Sequence, residues 1–151
     1  MTSRESVYQA LFDLTLPLFP STLKSRSRVA INWDKSEPEE QPSLYQIQNS
    51  ESALTLKGTP NVYTLTCEWY VYVNATNDPN ALHSTPINDI FDALEAVLLP
   101  SGGKDSQDLG GLVSRVYVGT REIHEGLLGH QVIGILPINI VFMPDYSSGS
   151  C

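Results

Sequence analysis

Three histidines, seventeen carboxylates and two cysteines are the groups in this chain that could do more than pack. His124 and His130 flank "EGLLG", with Glu122 and Glu125 close by, and imidazole with carboxylate is a donor set that suits zinc. The spacing matches no motif in which such ligands have a mechanical reason to converge, and a polar turn accounts for the same residues. His83 is the third histidine. Asp89 with Asp92, and Glu39 with Glu40, pair carboxylates on a helix face and in a loop, where solvation is their expected state. Cys67 lies inside an apolar strand pattern and reads as a small buried hydrophobe. Cys151 ends the polar "SSGSC" and could react if exposed. No nucleophile elbow, phosphate-cradling glycine loop or CxxC pair occurs. "SGGK" follows a helix instead of opening one, so no helix N-terminus aims its amides at an anion. The residues therefore predict no catalytic, cofactor-binding or metal-ligating set, and the chain is read as not an enzyme. A deep pocket gathering His124, His130 or Cys67 is what the rival reading, a small enzyme or ligand-binding domain, would require.

The elements that position these groups are easier to read. "TSRESVYQALFDL" places Thr2 and Glu5 in capping-box spacing, and Val7, Ala10, Leu11 and Leu14 recur at helical intervals until Pro17. "SRSRVAINW" and "SLYQIQ" read as strands. In the second, Leu44 and Gln46 share one side and Tyr45 and Ile47 the other. Residues 61–75, "NVYTLTCEWYVYVNA", alternate most clearly: Tyr63, Leu65, Cys67, Trp69, Val71 and Val73 form an apolar face. "STPINDIFDALEAVLLP" predicts a second helix, with Thr85 capping ahead of Pro86, an apolar stripe from Ile87 to Leu98, and Pro100 as its end. "LVSRVYVGTREIHEG" and "QVIGILPINIVFM" complete the set as two strands. These predict an α+β fold: a single mixed or antiparallel sheet of about five strands, two helices packed on one face, in the order α-β-β-β-α-β-β. Residues 1–143 form one domain and residues 144–151 a flexible C-terminal tail.

Two features suggest contact surfaces. Tyr70 and Tyr72 end the second face of the long strand and suit half-wet interfaces. The last strand is apolar on both faces, with Leu136, Ile138 and Ile140 on one and Ile133 and Ile135 on the other, yet carries Pro137 in its middle. Proline cannot donate to a ladder, which favours an edge or a bulge. The strand is either an edge covered by a neighbouring subunit or a bulged inner strand.

Net charge is −8, from 9 basic and 17 acidic groups. That balance argues against a protein that grips DNA through its phosphates, but not against one past which DNA slides. No apolar run approaches the roughly 20 residues that span a bilayer, and no signal peptide is read; the expectation is a soluble chain synthesised in a reducing cytoplasm.

The acidic, proline-bracketed stretch "NWDKSEPEEQPSLYQIQNSE", with "WYVYVN", "TPINDIFDALEAVL", "LGGLVSRVYVGTREIHEG" and "LGHQVIGILPINIVF" in that order, resembles the tail-terminator (tail-completion) proteins of long-tailed bacteriophages. The resemblance spans roughly residues 3–143 and rests on the order of the segments. It departs at "SGGKDSQD" and in the C-terminal tail. It implies a structural virion protein of the tail or neck, made in the host cytoplasm, which caps the tail tube as a homo-oligomeric, sixfold ring. Such a ring stops tube polymerisation and joins the tube to the head connector. Its partners would be its own copies, the tail tube protein and the head–tail connector protein, with DNA passing through the lumen without specific binding. No cofactor and no membrane are implied. Within such a ring, Glu37, Glu39 and Glu40 would offer charge to Arg26, Arg28 or Arg121 of a neighbour. Another neck or head-completion subunit shares nearly every one of these features.

Overall fold

A computed structural model describes residues 3–29, 41–54, 61–74, 85–100, 105–128 and 131–143, with Gly58 and Gly103 besides. The order is α1 (Arg4–Asp13), a short 3₁₀ turn (Leu16–Leu18), β1 (Ser25–Ser27), β2 (Ser43–Leu54), β3 (Val62–Asn74), α2 (Thr85–Val97), β4 (Arg115–Val118), β5 (Glu122–Leu128) and β6 (Gln131–Phe142). The fold class is the expected one, with six strands where about five were anticipated. The sheet runs β1-β2-β3-β6-β4, with β5 also paired to β6. β1 lies parallel to β2 and every other pairing is antiparallel.

α1 starts one residue later than its sequence suggested. Ser3 is the N-cap, accepting from the Ser6 amide, and the Ser6 hydroxyl accepts from the Ser3 amide in return. With Ser3 as the cap, Glu5 falls one position short of the box, and its carboxylate pairs with Arg28 instead. The helix buries Val7, Tyr8, Leu11 and Phe12. α2 buries Ile87, Ile90, Phe91 and Leu94. Both helices cover one face of the sheet, where their apolar stripes meet Leu44, the Leu65–Val73 alternation of β3, and Val132, Leu136, Ile138, Ile140 and Phe142 of β6.

α2 carries the chain from β3 across β6 to β4, so it must lie over β6. Gly134 is where it lands: a methyl group there would sit 2.7 Å from Phe91 Cζ and 2.8 Å from Ile87 Cγ1. The helix can approach β6 this closely because position 134 has no side chain.

On the opposite face Tyr45, Tyr72 and Ile133 form a second, smaller buried cluster, with Ile47, Tyr70 and Ile135 packed against it. β6 is thus covered by the helices on one face, while on the other Ile133 is buried and Ile135, Pro137, Asn139 and Val141 stay partly accessible. It is also an inner strand, flanked by β3 along its length and by β4 and β5 on its other edge. The edge-strand expectation is therefore corrected. Pro137 accepts from the Gly119 amide through its carbonyl, so its missing N–H points towards the same outer neighbour. The register there shifts from Val118↔Ile138 to Glu122↔Ile135. What reads in the sequence as one strand breaks into β4 and β5 opposite the residue that has nothing to donate. A second irregularity, in β2 between Gln48 and Ser50, reverses which face the later residues meet. It turns Glu51 to the helix side, where Arg4 binds it at 2.9 Å.

Candidate assembly surfaces

The three arginines expected to reach a neighbour's acids are each held by a helix of their own chain. Arg26 donates from Nε to Thr15 Oγ1 at 3.0 Å and from its other arm to the Phe12 carbonyl at 2.8 Å, with its guanidinium 3.9 Å above the Phe12 ring. It closes the C-terminal end of α1, where the helix dipole favours a cation, and partial burial lowers its pKa. Arg28 binds Glu5 and Gln9 of the same helix. Arg121 pairs with Glu95 of α2 and lies over Phe91. Glu37, Glu39 and Glu40, their intended partners, lie outside the described residues.

Leu136, Ile138 and Ile140 are wholly buried beneath the helices, so they offer a neighbour no surface, and their expected interface role is corrected to a core role. Tyr72 is buried against Tyr45, the ring centroids 5.3 Å apart. Tyr70 is half-buried, and burial raises the pKa of both Tyr70 and Tyr72. Of the expected contact residues on this face, only Tyr70 keeps appreciable accessibility.

The candidate chemical groups do not converge. His124 lies 3.9 Å from Glu122, a contact that is ionic only when the imidazole is protonated. Cys67 is buried in the main core, and that burial pushes its thiol up to about 12. His83, His130 and Cys151 fall outside the residues whose side chains are described. Among the described residues no three His, Cys, Asp or Glu side chains are placed to share a metal ion, and no helix is long and apolar enough to cross a membrane.

The accessible apolar surface sits elsewhere. At the β1 edge, Leu16 and Phe19 are 54% and 44% exposed; the Thr15–Arg26 bond fixes this turn beside β1. At the opposite edge a shallow groove of about 420 Å³ runs between the end of α2 and β4, lined by Glu95, Leu98, Leu99, Val116, Tyr117 and Val118. Leu99 is 66% exposed, and Tyr117 and Val118 about two-fifths. Sequence reading missed both places. The signal was present in "LTLPLFP" and "AVLLP", which carry more apolar residues than the adjoining helical stripes can bury.

No protein-family model matches this chain, and no curated protein does. Its fold is similar to that of a chain in the virion of a native gene transfer agent particle, with a TM-score of 0.52 at 10% identity over 91% of this chain and 92% of that one. At so low an identity the likeness is one of fold. It extends over nearly the whole of both chains, so neither carries a large element that the other lacks.

Proposed function

We propose that this chain is a structural virion protein that caps a phage tail tube as a ring of identical copies, halts tube polymerisation, and presents its far side to the head connector. The observation that carries the reading is the end-to-end likeness of fold to a virion chain. The ordered resemblance of five segments to tail-terminator proteins supports the finer assignment. So does the accessible apolar surface at both sheet edges, which the chain's own core does not use.

Capping of this kind is done by shape and contact, without turnover. A subunit that covers the tube-end surface needed by the next tube protein ends growth. A closed ring of such subunits does so at every position at once while leaving a central passage. The charge of −8 suits that passage: a lumen without clustered Lys and Arg gives phosphates no sites at which to stall. A lumen lined with basic residues would contradict this part of the reading.

The test is native mass by light scattering, joined to negative-stain imaging of the protein alone and mixed with purified tail tubes. Rings, or one cap at a single end of each tube, are the expected result. Bare tubes together with binding to a head-side connector would instead identify another neck subunit.

A further inference from the structure

We infer that β2 offers its outer edge, from Ser50 to Leu54, to an extended segment of another protein, which adds there as a further strand. In naming another protein the inference rests on the ring reading above, since two like edges that pair stop at two copies.

The edge is open for most of its length. β1 pairs with β2 only over Ser43–Tyr45, and among the described residues no other strand meets that side. Past the irregularity at Gln48 and Ser50, β2 stays in register with β3 from Ser50↔Thr66 to Leu54↔Val62. Peptide groups in an antiparallel ladder point alternately to either side, so about half of those in this stretch face outwards. Exposure agrees with the pairing. Every residue from Gln48 to Leu54 is exposed, although a strand with one covered face buries alternate side chains. This end of β2 is therefore open on its faces as well as its edge.

The usual devices that keep foreign strands off an edge are missing there. "SESAL" holds no proline and no lysine, residues that commonly blunt one. Its one charge, Glu51, is turned to the helix side and paired with Arg4 at 2.9 Å. The bulge lies ahead of these residues and leaves them in register. The opposite border differs, since Val116 of β4 is already bridged by Gln107.

Outward amides and carbonyls at strand spacing are complementary to one thing, another extended backbone. The stretch from Ser50 to Leu54 gives it about 17 Å of contact, an ordinary strand length. Side chains narrow the choice. Ser50 and Ser52 pair with Thr66 and Thr64 on the face away from the helices, and exposed Leu54 continues that face. Hydroxyl side chains pair well across strands, so the fitting segment carries Ser or Thr beside the two serines and an aliphatic residue beside Leu54. The strand that already uses the start of this edge, β1, reads Ser-Arg-Ser.

The experiment uses the full chain and a peptide of about six alternating threonine and valine residues. The peptide is N-methylated on every second amide, so that it offers one edge and cannot stack on itself; a control methylated on every amide offers none. Amide hydrogen exchange, resolved by NMR, reads the contact. In the free chain the outward amides of Ser50–Leu54 should exchange fast, and saturating peptide should slow them at least about tenfold while the control does not. Ser52→Pro and Ala53→Pro sit at successive positions, so one loses a bond to β3 and the other only an outward donor. The one that keeps the parent's melting temperature should bind the peptide at least about tenfold more weakly. Ser52→Lys, a charge on the edge, is the second choice if both prolines unfold the chain. Outward amides already slow in the free chain, no protection by the one-edged peptide, or equal protection by the control would overturn the inference. So would a folded edge variant that binds like the parent. Protection that appears on concentrating the chain alone would give the edge to a second copy and overturn the choice of another protein. None of these outcomes touches the ring reading, which stands or falls on the capping of tubes.

Discussion

Trp69 donates its indole N–H to Gln46 Oε1 at 2.9 Å, and Gln46 passes the connection on, donating from Nε2 to the Tyr8 carbonyl at 2.9 Å. The three residues lie on β3, β2 and α1, all buried. One side-chain amide thus satisfies a sheet donor and a helix acceptor within the main core. It also fixes the height at which α1 sits above the sheet.

Removing the middle member should be costly. Gln46→Leu is expected to destabilise the fold by about 2–4 kcal/mol, because it leaves the Trp69 N–H without a partner in an apolar site. Trp69→Phe should cost about 1–3 kcal/mol through lost volume and the same bond. The double variant Gln46→Leu/Trp69→Phe should cost less than the sum, since no orphaned donor remains. Urea denaturation of the four proteins in one cycle checks this.

Gly134→Ala should push α2 off β6. A methyl group 2.7 Å from Phe91 Cζ forces the helix or the ring to move, and overpacking of this kind costs about 1–3 kcal/mol. Phe91→Leu in the same chain should recover part of that loss, because it removes the atom in the way. Thermal denaturation of the single and double variants measures the recovery.

Arg26 predicts a difference between stability and assembly. Arg26→Ala removes two hydrogen bonds and a stacked cation, and should lower stability by about 1–3 kcal/mol. Arg26→Lys should restore only a minor part, since an ammonium cannot bond in two directions while lying flat on Phe12. A role in neighbour contact alone would instead leave the melting temperature of the isolated subunit unchanged.

Alkaline pH should weaken the fold through two buried groups. Burial raises Cys67 from 9.0 to about 12 and Tyr8 from 10.0 to about 12. The fold favours the neutral form of each, so their contribution is complete below the unfolded-state values and is lost as pH rises through the folded ones. From pH 9 upwards ionisation of the thiol in the unfolded chain should erode stability progressively until its folded value is reached. The urea midpoint should therefore hold between pH 7 and 8.5 and fall by pH 10, and fall less in Cys67→Ala. In a Cys151→Ser background, a thiol reagent at pH 8 should label no site until denaturant is added.

The sequence made the alternating elements legible and left their partners obscure. The period of two in β3 set Leu65, Cys67, Trp69 and Val71 on one face, and the helical stripes of α1 and α2 assigned their buried sides. Arg26 shows where such reading ends. Its charge announces a need for acceptors, but the carbonyl it meets lies fourteen positions earlier, and only the return of β1 beside α1 brings them together. The two-faced pattern of β6 raised the question of what covers it. The answer was partial: on the second face only Ile133 is buried, in a cluster with Tyr45 and Tyr72 whose members come from three different strands. Pro137 announced a missing donor without saying which neighbouring strand would yield. Leu16 and Leu99 went unnoticed because a helical stripe says which residues it needs, not which it leaves over.

The interruption opposite Pro137 has a consequence for how copies can meet. An outer strand that ran unbroken from Arg115 to Leu128 would expose a long row of amides and carbonyls, an open template on which any extended chain could zip. Divided into β4 and β5, the border offers two short lengths whose hydrogen-bonding directions do not line up. Each presents a shorter run of outer backbone than an unbroken strand would. Contacts at this border then depend more on side-chain fit than on continuous backbone pairing, and side-chain fit discriminates between partners.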